Sequence, residues 1–143
     1  MPIKKILVPV DGSEYMGKEV TTACEFAKTF NAEVTLFHVV AMPVSAEASG
    51  MPVEATRLEE VGNQIIEKAK KLAESCGIMP SFALDFSSGN PGMKIVRKAD
   101  SENADLIIIG AKGKNRLREI LMGSVASSVV NNSHCLVLIV REC

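Results

Sequence analysis

Five short apolar runs alternate with segments of helical period along this chain, and that alternation restricts its possible folds more than any other feature. Residues 3–10 form a compact β-branched run that ends in the turn Asp11-Gly12-Ser13. From about residue 14 to 30, Met16, Val20, Ala23, Cys24, Ala27 and Phe30 recur at three- and four-residue steps, one face of a helix with Ser13 as its N-cap. Residues 33–40 return to strand character. From residue 54, the positions Leu58, Val61, Ile65, Ala69, Leu72 and Cys76 mark a long helix that Gly77 is placed to end. Phe82, Leu84 and Phe86 alternate with Ala83 and Asp85, which predicts a strand with one drier face near a sheet edge. Asn90-Pro91 reads as an N-cap and first helical residue, opening a helix to about residue 102 through Met93, Ile95, Val96 and Ala99. Residues 106–109 form a buried strand, a short helix follows near 124–131, and residues 135–140 make a last apolar strand. Strands that alternate with helices pair in parallel through crossovers, which predicts an α/β fold: a three-layer α/β/α sandwich around an open five-stranded parallel sheet.

At 143 residues without an internal repeat or linker, the whole span 1–143 reads as one domain. The net charge of −1 gives no basic excess for general nucleic-acid binding. No apolar run approaches 18 residues, so no membrane span is expected, and the lysine-bearing N-terminus runs straight into a strand without a signal peptide's apolar core. Cys24, Cys76, Cys135 and Cys143 form no C-x-x-C pair, and His134 beside Cys135 is too isolated for a metal site. Reduced thiols in a cytoplasmic protein are the expectation.

The chemistry concentrates in residues 110–124, G-A-K-G-K-N-R-L-R-E-I-L-M-G-S, which directly follow the buried run 106–109. Gly110, Gly113, Gly123 and Ser124 fit a G-x2-G-x9-G-[S/T] spacing. Glycines let a phosphate approach main-chain N–H groups, and a helix that starts near the last of them adds its positive end. Lys112, Lys114, Arg116 and Arg118 add charge, although a solvated basic loop would look the same. The spacing is not that of a Walker A loop, because no G-x4-G-K-[S/T] occurs.

In open parallel sheets, ligands bind beyond the carboxyl ends of the strands where the winding reverses. If the first and fourth strands are central neighbours, Asp11 and Gly110 meet there. Asp11 would then accept from a ribose or an adenine, or approach a phosphate-bound Mg2+; a turn aspartate in D-G-S is the simpler alternative. The main chain around Val39 could pair with an adenine edge. His38 is expected to be packed or hydrogen-bonded, not a base. Ser127 and Ser128 have no His/Asp set to activate them. Residues 41–53, with two prolines, read as a long mobile connection and a candidate lid.

Taken together, the chain resembles the universal stress protein family along essentially its whole length. The features that carry the likeness are K-K-I-L-V-P-V-D-G-S at 4–13, L-F-H-V-V at 36–40, D-L-I-I-I-G at 105–110, the glycine loop, and C-L-V-L-I-V at 135–140. The resemblance implies a Rossmann-like sheet of strand order 3-2-1-4-5 and a homodimer paired through the last strand, from Cys135 to Val140. It also implies the ATP-binding class of the family, with Mg2+ accompanying the nucleotide. Asp11 and Val39 would then hold the adenosine part, and Gly110, Gly113, Gly123, Ser124 and Val125 would line the phosphates. Pro9, Val10 and Asn115 would also touch the nucleotide, and Asp11 would face the metal. Leu136 departs from the proline that often follows the cysteine, and Ala111-Lys112 replaces the commoner Ser-Arg or Thr-His-like pairs.

The leading expectation is therefore an ATP-binding, dimeric stress-response protein whose nucleotide state regulates something else. A slow ATPase or self-phosphorylating switch is a second reading, although no general base or activated nucleophile stands out. A nucleotide-independent interaction module is a third.

Overall fold

A computed structural model of the chain describes residues 2–42, 52–112 and 122–141. In chain order the elements are β1 (Lys5–Pro9), α1 (Met16–Phe30), β2 (Glu33–Ala41), α2 (Pro52–Ser75), β3 (Ser81–Ser87), α3 (Gly92–Ser101), β4 (Leu106–Gly110), α4 (Ser124–Asn132) and β5 (Leu136–Val140). All five strands are parallel, in the order β3-β2-β1-β4-β5. The expected topology is the observed one, and β1 and β4 are neighbours at its reversal.

Alternation along the strands sorts the core into two layers. Ile6, Val8, Leu36 and Ile108 point to one side, where they pack with Val20, Ala23 and Cys24 of α1 and with Ile66, Ala69 and Ala73 of α2. Leu7, Phe37, Ile107 and Ile109 point to the other, against Ile95 and Ala99 of α3 and Val129 of α4. A strand covered on both faces must be apolar at successive positions, and β4 is buried at all five. Asp105 ties the start of this central pair together: its Oδ2 accepts the N–H groups of Lys4 and Lys5 at 2.9 and 3.0 Å, and its own N–H donates to Lys5 O at 2.8 Å.

The helix ends follow the sequence signals with small displacements. Ser13 Oγ accepts the N–H of Tyr15 at 3.3 Å, a capping bond, yet regular helix begins only at Met16 with Tyr15 in the cap position. Asn90 Oδ1 accepts the N–H of Gly92 at 2.7 Å, as an N-cap should, and α3 then begins one residue after Pro91. Gly77 adopts φ +85°, and its N–H donates to Glu74 O at 2.9 Å, closing α2 in the left-handed turn that glycine favours.

Expectations about buried faces are corrected at several positions, beginning with Phe30 of α1 and Val61 of α2, which are exposed. Phe82 and Phe86 do not lie on a dry face: Phe82 is 55% exposed, and Phe86 is exposed as well. β3 is an edge strand with one neighbour, so α2 cannot cover it fully; Lys70 Nζ covers the Phe82 ring from 5.1 Å. Met93 is also exposed, because α3 turns Ile95, Val96 and Ala99 inward. The candidate lid at 41–53 is shorter than expected at both ends, because Ala41 belongs to β2 and Pro52 and Val53 to α2; its residues 43–51 lie outside the described residues. Among the described residues, no helix is long and apolar enough to cross a membrane.

Candidate functional site

A cavity of about 600 Å3 opens at the carboxyl ends of β1, β2 and β4. Parallel strands put all their carboxyl ends on one side, and the reversal between β1 and β4 sends their following segments to opposite faces, leaving a crevice. Pro9, Val10 and Asp11 enter it from β1, Val39 from β2 and Gly110 from β4, while Gly123, Ser124 and Val125 form the start of α4. Eight of the ten residues singled out in the sequence thus share one cavity. Gly113 and Asn115 lie outside the described residues, as do Lys114, Arg116 and Arg118.

The start of α4 is anchored from both sides. Gly123 N–H donates to Ala111 O at 2.6 Å, and Ser127 N–H donates to Gly123 O at 2.9 Å. Gly123 takes the cap position at φ −64°, ψ 161°, with no side chain of its own to cap the helix, so its first turn is suited to receive a guest acceptor. Asn90 Nδ2 donates to Ser124 O at 3.4 Å, linking the starts of α3 and α4.

Asp11 fulfils the turn role and lines the cavity. Its Oδ1 accepts the N–H of Ser13 at 2.9 Å. His38 is 9% exposed, with Nδ1 2.6 Å from Val10 O. A carbonyl only accepts, so Nδ1 carries the proton and the ring clasps β2 to the end of β1. The expected packing role for His38 is what the geometry shows. Further walls come from Phe37 and Ile109 of the sheet, Leu58, Val61 and Ile65 of α2, Pro91 just before α3 and Ile95 within it, and Met122.

Glu19 is the residue the motifs missed. It lines the cavity from the first turns of α1 and is only 2% exposed. The backbone of Gly110 hydrogen-bonds to its carboxyl, while Oε2 is buried without a hydrogen-bond partner among the described residues. Burial, and then the negative charge of Asp11, push its pKa well above the ordinary 4.5; the Gly110 bond opposes them. The signal was present in the sequence. Position 19 falls three residues after Met16 and four before Ala23, placing a carboxylate on the apolar stripe of α1.

Among the described residues, no group of three or more His, Cys, Asp or Glu side chains could hold a metal ion by itself. A Mg2+ that arrives with a nucleotide needs less, because phosphates and water supply most of its ligands and one or two carboxylates complete the set. Asp11 fits that smaller role.

Comparison with known proteins places this geometry in a family. The chain is 37% identical over 145 residues to the universal stress protein MJ0531 of Methanocaldococcus jannaschii, covering 97% of this chain and 82% of that one. It superposes on the structure of MJ0577, also from M. jannaschii, with a TM-score of 0.82 and 33% identity, over 100% of this chain and 99% of the other. The same fold recurs in the Archaeoglobus fulgidus universal stress protein in complex with dAMP, with a TM-score of 0.70, 23% identity, and coverage of 97% and 98%. It recurs again in an Arabidopsis thaliana family member with AMP bound, with a TM-score of 0.70, 14% identity, and coverage of 98% and 92%. The sequence profile of the universal stress protein family matches residues 2–141, and the chain belongs to that family.

Proposed function

We propose that the cavity binds an adenine nucleotide, with ATP and its Mg2+ as the leading form, and that the occupied protein acts as a cytoplasmic regulatory dimer. The observation that carries this reading is the convergence of Asp11, Val39, Gly110, Gly123, Ser124 and Val125 on one cavity beyond the sheet. A carboxylate and free main chain stand at one end, suited to a nucleoside. The start of α4, with its glycine cap, stands at the other, suited to phosphate. Relatives of the same fold that hold dAMP and AMP support the ligand class.

In this reading, Val10 and Val39 flank the base, Asp11 accepts from the ribose and faces the Mg2+, and the amides around Gly123 to Val125 receive phosphate. Gly113 and Asn115 complete the cradle. The metal would supply charge neutralisation at the phosphates. No hydrolytic step is assigned, and His38 is committed to Val10 O. β5 is an edge strand with Leu136 exposed, and pairing two such edges would cover both, which supports the dimer.

The test is to denature freshly purified protein and identify any released nucleotide by mass spectrometry, then to titrate emptied protein with Mg-ATP by calorimetry. Stoichiometric adenine nucleotide or saturable binding is expected. Protein that purifies empty and binds neither ATP nor AMP would overturn the reading and favour the interaction module.

A further inference from the structure

Glu19 stands where an anion-binding site should have no carboxylate. It is buried against Gly110, the first glycine of the expected cradle, and takes up that residue's backbone hydrogen bond. Its second oxygen is buried and has no hydrogen-bond partner among the described residues, so nothing described there compensates its burial. The residue nonetheless lines the cavity. A purely structural role would be served better by an apolar side chain at this point of α1, between Met16 and Ala23.

We infer that Glu19 is a charge-selecting contact of the cavity: once ionised, it penalises adenine nucleotides in step with their number of phosphates, and so narrows the cavity's preference for a triphosphate over a monophosphate. This rests on the nucleotide reading of the cavity.

The argument is electrostatic. An entering phosphate chain meets two acids, Asp11 from the β1–α1 turn and Glu19 from α1. The described basic groups around them are Lys112 beyond β4, which lines the cavity, and Lys18 of α1, whose Nζ donates to Arg141 O. His38 of β2 is turned to Val10 O. Water cannot screen a carboxylate that is 2% exposed, and like charges repel about four times more strongly near a protein surface than in bulk water. Each added phosphate increases the negative charge brought toward Glu19, whereas base and sugar bring none. The penalty therefore grows from AMP to ATP, while contacts at Val10, Asp11 and Val39 stay the same for both.

The experiment compares AMP and ATP, both free of metal, in mildly alkaline buffer, on the full chain and on Glu19→Gln. Glutamine keeps the shape and an acceptor for Gly110 but carries no charge. The ratio of the ATP to the AMP dissociation constant is expected to fall about tenfold in the variant. Glu19→Met, which is also uncharged, should move the ratio in the same direction, and thermal melts establish that each variant is folded. A ratio that changes by less than about twofold in folded variants that still bind AMP would overturn the inference alone. Failure of the unaltered protein to bind either nucleotide would overturn the nucleotide reading and this inference with it.

Discussion

Glu19 Oε1 stands 2.9 Å from the point that a Cβ on Gly110 would occupy. The Cβ of Tyr15 is nearly as close, at 3.1 Å. A side chain at 110 would push the Glu19 carboxyl off the Gly110 backbone, and Tyr15 would have to give by a few tenths of an ångström.

The buried state of Glu19 makes stability depend on pH. Its folded pKa lies above the ordinary 4.5, so between those two values the folded protein holds a proton that the unfolded chain has released. This contribution is greatest below pH 4.5 and is lost as pH rises through the folded value. Glu19→Gln should flatten the fall in stability with rising pH across that window, measured as the difference between urea-unfolding free energies at successive pH values. An unchanged slope would show that other groups set it.

Gly123→Val separates binding from folding. Backbone at φ −64°, ψ 161° accommodates valine without strain, so the variant should lose only about 1 kcal/mol of stability through a poorer cap. Its nucleotide affinity should fall by at least about tenfold, because a branched side chain would crowd the main-chain donors at the start of α4. Calorimetry beside a thermal melt tests both halves, and undiminished binding would remove Gly123 from the cradle.

Gly92 permits the close approach of α3 and α4. A Cβ there would stand 2.6 Å from Ser128 Cβ and 2.5 Å from its Oγ. Neither atom is the far end of a flexible chain, so Gly92→Ala should destabilise by about 1–3 kcal/mol. Adding Ser128→Gly removes the obstruction and should return part of that loss beyond the sum of the single changes. Additive effects in the double-mutant cycle would mean the two positions do not meet.

Cys24 should resist alkylation in the folded protein. Burial, then the neighbouring Cys76, push its thiol up to about 11, and only the thiolate reacts. Mass spectrometry after a brief iodoacetamide pulse near neutral pH should find Cys76 and Cys135, both partly exposed, modified well before Cys24. Rapid labelling of Cys24 in intact protein would show that α1 opens from the sheet.

The sequence by itself determined the layer architecture, the strand count and most element ends. Those properties come from local periodicity: an apolar run buried on both faces, a 3.6-residue stripe, a glycine at a left-handed turn. The motif residues on either side of β1 and β4 were also legible, because strand order places their carboxyl ends together once the sheet is parallel. Only the tertiary structure decided that Glu19 lies beneath Gly110, that Phe82 and Phe86 stay exposed, and that His38 is committed to Val10 O. Each depends on which helix covers which part of the sheet, and on how completely. A carboxylate on an apolar stripe or an aromatic on an edge strand has a sequence signature, but its solvation depends on neighbours brought from distant parts of the chain. The same neighbours set the charge of Glu19, and with it the site's expected choice of ligand.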